Sequence, residues 1–319
     1  MLPASWGANP SALICPKNIY ITLYKDQTYW LGLDSMNRIL EFYGESTRTS
    51  QETDWLGLAM AEHCPFLTRK CIKIRKSQPE KTIGTCTVEH GREHSGVIIC
   101  PHRLLERNQI FTDCLHLLTL HEPGNTLHIV PEISIPGGNV DYFLVSARGK
   151  QVKDFVGLEL QTLDTTGTLW PERQKFLREQ GFLTSDDSNL ERTFGMNWKM
   201  TAKTILVQLH HKVETFESIH KHLVLVLQDH LLAYMKRAFD FAHVEPPKIG
   251  NSMQLHSYGL TYEPTGRYTL NLQERFSTDA RGVAKSLGLQ QRANIELDTI
   301  VNMLESKLSD KTILSFQRS

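Results

Sequence analysis

Residues 136–163 read PGGNVDYFLVSARGKQVKDFVGLELQTL, and the fold turns on how they are read. Pro136-Gly137-Gly138 interrupts a β-rich run made of residues 126–130 and 133–135. Residues 139–146 are aromatic and β-branched, Ala147-Arg148-Gly149-Lys150 is turn chemistry, and residues 152–163 return as a strand. Two strands around a short glycine-containing turn predict an antiparallel hairpin. Side chains alternate across a strand, so Glu159 and Gln161 share one face while Leu158 and Leu160 point to the other, buried one. Asp141 lies near the start of the first strand. The hairpin can therefore gather Asp141, Glu159 and Gln161 at one edge.

Working outward, Thr168 and Pro171 open a helix that Gly181 closes. Ala202, Ile205, Leu206, Leu209, Val213 and Phe216 recur at 3/4 spacing, the mark of a long amphipathic helix. The run LVLVL at 223–227 fits a buried strand, residues 231–239 resume a helix, and Leu297, Ile300, Val301, Leu304 and Leu308 mark a last one. Hairpin, helix, strand and helix in succession predict a mixed α/β (α+β) fold. A chain of 319 residues predicts about two domains at roughly 150 residues each. Composition divides it into residues 1–60 of unclear role, a basic cysteine-rich region at 61–121, and a core over 122–319 with a helical C-terminal part.

Hydrophobic residues make up 40% and charged residues 22%, ordinary globular usage that excludes collagen-like, disordered and coiled-coil classes. No apolar run approaches the roughly twenty residues of a membrane span, and the first residues lack a signal-peptide pattern. A cytoplasmic protein is expected. Lys and Arg total 35 and so do Asp and Glu, which rules out an indiscriminate polyanion binder but not a segregated basic patch. Such a patch exists. From Cys64 to Arg107 there are nine Lys/Arg against four acidic residues, an excess of five positive charges.

Two carboxylates and a side-chain carbonyl suit a hard divalent cation such as Mg²⁺, which can polarise a phosphoryl oxygen and activate water. An Asp near a strand start and an alternating Glu/Gln on a solvated face are also common in any antiparallel sheet. The Pro136–Asp141 approach is of the kind used where backbone comes close to a ligand, and Gly157 clears room beside Glu159. The cysteines leave two readings open. Cys64, Cys71, Cys86 and Cys100 enclose six, fourteen and thirteen residues, none of them a C-x₂-C knuckle, which favours buried thiols. Four thiolates are equally the soft set that suits Fe or Zn, and Pro65 and Pro101 stiffen the loops that follow two of them.

P-G-G-x-V-D-Y-F followed by a strand ending E-L-Q resembles the PD-(D/E)-x-K nuclease core in its E-x-Q variant. Cys64-Pro-Phe, Cys71 with Lys73, Arg75 and Lys76, Ile83-Gly-Thr-Cys86, Ile99-Cys100-Pro101 and residues 197–204 (NWKMTAKT) narrow the resemblance to NotI-type restriction endonucleases, over roughly residues 60–240. That resemblance implies a mixed sheet flanked by helices and a Mg²⁺-dependent homodimer cutting double-stranded DNA at a GC-rich palindrome to leave 5′-phosphate ends. It implies that Asp141 and Glu159 are Mg²⁺ ligands, that Gln161 stands where the superfamily has Lys, and that Glu132 is an outer or second-metal carboxylate. It further implies a structural Fe or Zn on Cys64, Cys71, Cys86 and Cys100, with Cys15 and Cys114 ordinary. Arg69, Lys70, Lys73, Arg75 and Lys76 would contact DNA. Two rival functions are a repair or junction nuclease on the same core and a non-catalytic, metal-stapled DNA-binding protein.

Overall fold

In the computed structural model, which describes residues 38–49, 52–91, 95–182, 193–288 and 297–307, the chain opens on a small antiparallel sheet. Strand β1 (Ile39–Phe42) lies between the two-residue strand Glu45–Ser46 and β2 (Thr85–His90), with β3 (Ser95–Ile98) outside β2. Residues 39–42 are thus paired directly with the cysteine-rich region. A 3₁₀ helix, Pro101–Asn108, follows Cys100, and its proline sits in the first turn, where a missing N–H costs nothing.

The second sheet has six strands. They are β4 (Thr126–Ile135), β5 (Gly138–Arg148), β6 (Gln151–Gln161), β7 (His222–Gln228), β8 (Met253–Tyr262) and β9 (Tyr268–Thr278), in the order β9-β8-β7-β6-β5-β4. The expected hairpin is β5–β6, with Tyr142 opposite Leu158 and Arg148 opposite Gln151. Strands β6, β7 and β8 run parallel, and the outer pairs are antiparallel. Parallel strands need a crossover, supplied by α1 (Trp170–Glu179) and α2 (Trp198–Ser218) between β6 and β7, then by α3 (Asp229–Ala238) before β8. The last sheet strand leads into α4 (Ala280–Ser286).

Both faces of this sheet are covered. Phe143, Leu223, Leu225 and Leu227 pack on Ile205, Leu206, Leu209, Val213 and Phe216 of α2 and on Leu231, Leu232 and Met235 of α3. Leu144, Leu158, Leu160, Val224 and Val226 meet Leu104, Leu105, Ile110 and Phe111 on the other side. Burial on two faces explains why β7 is apolar without alternation.

Two expectations need correction. The C-terminal part is not simply helical, because β8 and β9 form a hairpin that completes the sheet at its far edge. Met253–Tyr258 is buried at every position, so the stretch shows neither helical nor alternating periodicity. Gly157 does not open space at a ligand site either. A Cβ there would lie 2.4 Å from Phe216, so the glycine admits helix α2 to the sheet. Among the described residues no helix is long and apolar enough to cross a membrane.

Candidate active site

Strand register assembles the acidic residues. Val140 pairs with Ile133 and Tyr142 with Pro131, which brackets Asp141 opposite Glu132; Tyr142 opposite Leu158 sets Asp141 level with Glu159. Glu132, Asp141 and Glu159 therefore form one row across three neighbouring strands. Glu132 has φ +52°, a left-handed conformation that breaks the alternation of β4 at this point and is costly for a residue with a Cβ.

The Pro-Gly-Gly approach is tight because of a helix. A Cβ on Gly137 (φ +96°) would lie 2.9 Å from the His211 carbonyl, and Thr215 Oγ1 donates to Pro136 O at 2.8 Å. Seating α2 so closely delivers Lys212, whose Nζ lies 2.6 Å from Glu159 Oε1 and also donates to the Asn139 carbonyl. The Lys212 side chain is only 9% exposed and that of Glu159 14%. Lys212 stands three positions after Leu209 on the apolar face of α2. A lysine inside an apolar stripe was the one sequence signal for it, and the 53-residue separation hid its partner.

Burial dominates the acid–base character of the row. It pushes the Glu159 carboxyl up to about 7, helped by the Asp141 charge and opposed by the Lys212 hydrogen bond. Asp141 is raised as well, chiefly by burial and also by Glu132, against the Leu160 N–H that donates to Oδ2 at 2.8 Å and against Lys212. Burial thus raises both carboxyls beside a single ammonium. Gln161 directs its Nε2 to the Thr162 carbonyl at 2.8 Å, and among the described residues its amide oxygen accepts no hydrogen bond.

Cys64, Cys71, Cys86 and Cys100 converge. All four are buried and outside any disulfide, and Cys64, Cys86 and Cys100 each feel the charge of at least one other. Backbone N–H groups of Phe66 and Leu67 point at Cys64, that of Gly44 at Cys86 and that of His102 at Cys100. Such donors favour thiolate over thiol and accompany metal ligation. Against them, burial raises the thiols of Cys64, Cys86 and Cys100. Among the described residues no three His, Cys, Asp or Glu side chains close into a metal shell. Cys114 lies apart, buried with its sulfur 3.7 Å from His256 Nδ1; Cys15 lies outside the described residues.

The five basic residues divide. Arg69 and Lys76 are exposed, and Lys70 pairs with Glu62 at 2.6 Å. Lys73 donates to the Ile99 carbonyl at 2.9 Å, and Arg75 stacks 4.3 Å over Trp170 while bonding Gln78. Lys73 and Arg75 thus brace the cysteine region itself. Comparison with protein-family models, with curated proteins and with solved structures returned no match.

Proposed function

We propose that this chain is a divalent-cation-dependent endonuclease with a PD-(D/E)-x-K core in the E-x-Q variant, cutting both strands of duplex DNA in the manner of NotI-type restriction enzymes. The observation that carries the reading is the row Glu132–Asp141–Glu159 with a buried lysine ammonium beside it. Three further features agree with it: the E-x-Q hairpin, a parallel neighbour strand, and a basic cysteine-rich flank. A homodimer reading a GC-rich palindrome belongs to the same proposal, since two-fold protein symmetry matches a symmetric site. So does a structural Fe or Zn held by Cys64, Cys71, Cys86 and Cys100.

Hydrolysis forms a bond from a water oxygen to phosphorus and breaks the P–O3′ bond. It leaves a 5′-phosphate and a 3′-hydroxyl; the water loses one proton and the departing oxygen gains one. Asp141 and Glu159 would hold Mg²⁺, with Glu132 in an outer position. The bound cation would supply Lewis-acid polarisation of the phosphate and a more acidic water. Lys212 replaces the ammonium that Gln161 lacks, and its charge stands beside the phosphate as negative charge builds there. The Gln161 amide oxygen accepts a hydrogen bond from the attacking water and orients it.

The test is incubation of the purified protein with plasmid DNA and Mg²⁺, followed by sequencing of the ends, for the wild type and for Asp141→Ala and Glu159→Ala. Cleavage at one consensus site, abolished in both variants while duplex binding persists, is the expected result. Cutting confined to branched DNA would identify a junction nuclease on the same core. Near-normal cleavage by both variants would refute the site.

A further inference from the structure

A cleft lined by rings and one cation stands off the carboxyl ends of two parallel strands. Gln161, the last residue of β6, lies opposite Leu227 of β7, and α3 begins at Asp229 just beyond. His90 closes β2 and pairs with Ser95 at the start of β3, Trp198 opens α2, and His230, Tyr234 and Arg237 come from α3. Together they line a cleft of about 480 Å³. Small-molecule sites span roughly 300–1,000 Å³, and in open sheets they sit outside the carboxyl ends of parallel strands.

Backbone bonds fix this arrangement. Gln228, which ends β7, donates from Nε2 to the Gly96 carbonyl at 2.7 Å and accepts the Ile98 N–H at 2.8 Å, tying β3 to the sheet. The Asn197 N–H donates to the Asp164 carbonyl at 2.9 Å and holds the start of α2 beside the chain leaving β6. His230, Tyr234 and Arg237 stand four and then three positions apart, which puts them on one helix face.

The lining suits a flat anion. The Trp198 ring lies 6.4 Å from that of His90, the planes inclined at 44°, and 5.7 Å from that of Tyr234, inclined at 35°. Neither pair stacks in parallel, so the rings keep π surface toward the cleft they line. His90 Nδ1 is buried with no hydrogen-bond partner among the described residues, a cost that the polar edge of a ligand would remove. Burial, and after it Arg38, lowers the His90 pKa, so the ring is neutral and offers one donor and one acceptor nitrogen. Arg237 is exposed and makes no ion pair among the described residues, and no carboxyl lines the cleft.

We propose that this cleft holds one unpaired nucleotide, with its base stacked on Trp198 and Tyr234, its base edge bonded to His90 and its phosphate on Arg237. Aromatic faces accept every base, and a guanidinium presents paired N–H groups matched to phosphate oxygens. The choice of a nucleotide among aromatic anions rests on the nuclease reading, because Glu159 and Gln161 occupy the end of the same strand. Hydrolysis at the acidic row needs no held base, so the inference adds a subsite to that reading.

The experiment is calorimetric titration of the full chain with deoxynucleoside 5′-monophosphates, with a short single-stranded oligonucleotide, with a deoxynucleoside and with inorganic phosphate, alongside thermal melting. Saturation by the monophosphates identifies a free nucleotide as sufficient; saturation by the oligonucleotide alone identifies a DNA strand as the source. Either supports the cleft if Trp198→Leu weakens that binding about 5–150-fold, the loss of one base–aromatic stack. Arg237→Met should weaken the monophosphate or oligonucleotide and leave the deoxynucleoside unchanged. Should Trp198→Leu melt early, Arg237→Met, a change at an exposed position, carries the test. Binding of neither probe by the wild type, equal binding by wild type and both variants, or competition by inorganic phosphate as strong as by the monophosphate overturns the proposal. A protein that cuts DNA yet binds neither probe sinks this inference alone. One that binds through Trp198 and Arg237 yet cuts no DNA with any divalent cation sinks the nuclease reading and leaves the nucleotide site standing.

Discussion

Arg103→Met removes the most connected buried cation among the described residues. Its Nε donates to Glu41 Oε1 at 2.9 Å and Oε2 at 2.8 Å, Nη1 to Glu106 at 2.8 Å and Nη2 to the Tyr268 carbonyl at 2.9 Å. The side chains of Arg103 and Glu41 are each 1% exposed. These bonds tie β1, the 3₁₀ helix that carries His102 and the last hairpin to one another. Methionine keeps most of the stem's volume and removes all four bonds. Removing one partner of a buried pair costs about 3–5 kcal/mol. Burial already raises the Glu41 carboxyl against the pull of Arg103, so in the variant it takes up a proton, which holds the cost within that range. At about 2–4 °C per kcal/mol for a unit of this size, the melting midpoint should fall by about 6–20 °C. Circular dichroism melts of the wild type, Arg103→Met and Arg103→Met/Glu41→Leu measure it. The double variant should recover part of the loss, because an apolar replacement of both charges leaves nothing buried unpaired. A single variant within about 1 kcal/mol of wild type, or a double variant worse than the single, would refute the reasoning.

Lys212→Met should reduce cleavage about 10²–10³-fold while sparing duplex binding, as removal of a positive charge at the reacting phosphate does; unchanged single-turnover rates would remove Lys212 from the centre. His256 is fully buried and held neutral, its pKa lowered to about 3 mainly by burial. The unfolded chain binds a proton there from about pH 6.5 downward and the folded chain does not, so this contribution to stability is intact above pH 6.5 and is lost as pH falls toward 3. Between pH 7 and 5 denaturant titrations should show a loss of about 2 kcal/mol that His256→Gln lacks, and equal slopes in the two proteins would contradict it. Elemental analysis should find about one Fe or Zn per chain, lost on changing Cys64, Cys71, Cys86 or Cys100 to Ser and kept on changing Cys15 or Cys114. No metal in the wild type, or equal loss in all six variants, would end the four-cysteine proposal.

The hairpin was legible because alternation has period two and the turn residues are short and polar. Helix α2 was legible because its apolar residues repeat every three or four positions over 21 residues. Pro171 and Gly181 bounded α1 for equally local reasons, a fixed φ at the start and φ +85° after the end. Those rules act between neighbours in the chain, so a sequence can state them. They also placed Asp141 and Glu159 on adjacent strands and Leu158 and Leu160 in the core.

Tertiary contact decided the rest. Strand β8 is buried at successive positions, which erases the period by which a strand is recognised, and β1 carries Glu41 into the core only because Arg103 meets it there. Gly137 and Gly157 looked like room for a ligand, yet the neighbour at both is helix α2, more than fifty residues away in sequence. That helix brings Lys212 to Glu159. The sequence by itself determined which residues could carry charge, bend the chain or lie on a common face. Which charges meet depended on the packing of distant segments, because desolvation and Coulomb interaction act through space, and no local pattern records the distance between side chains that only the fold brings together.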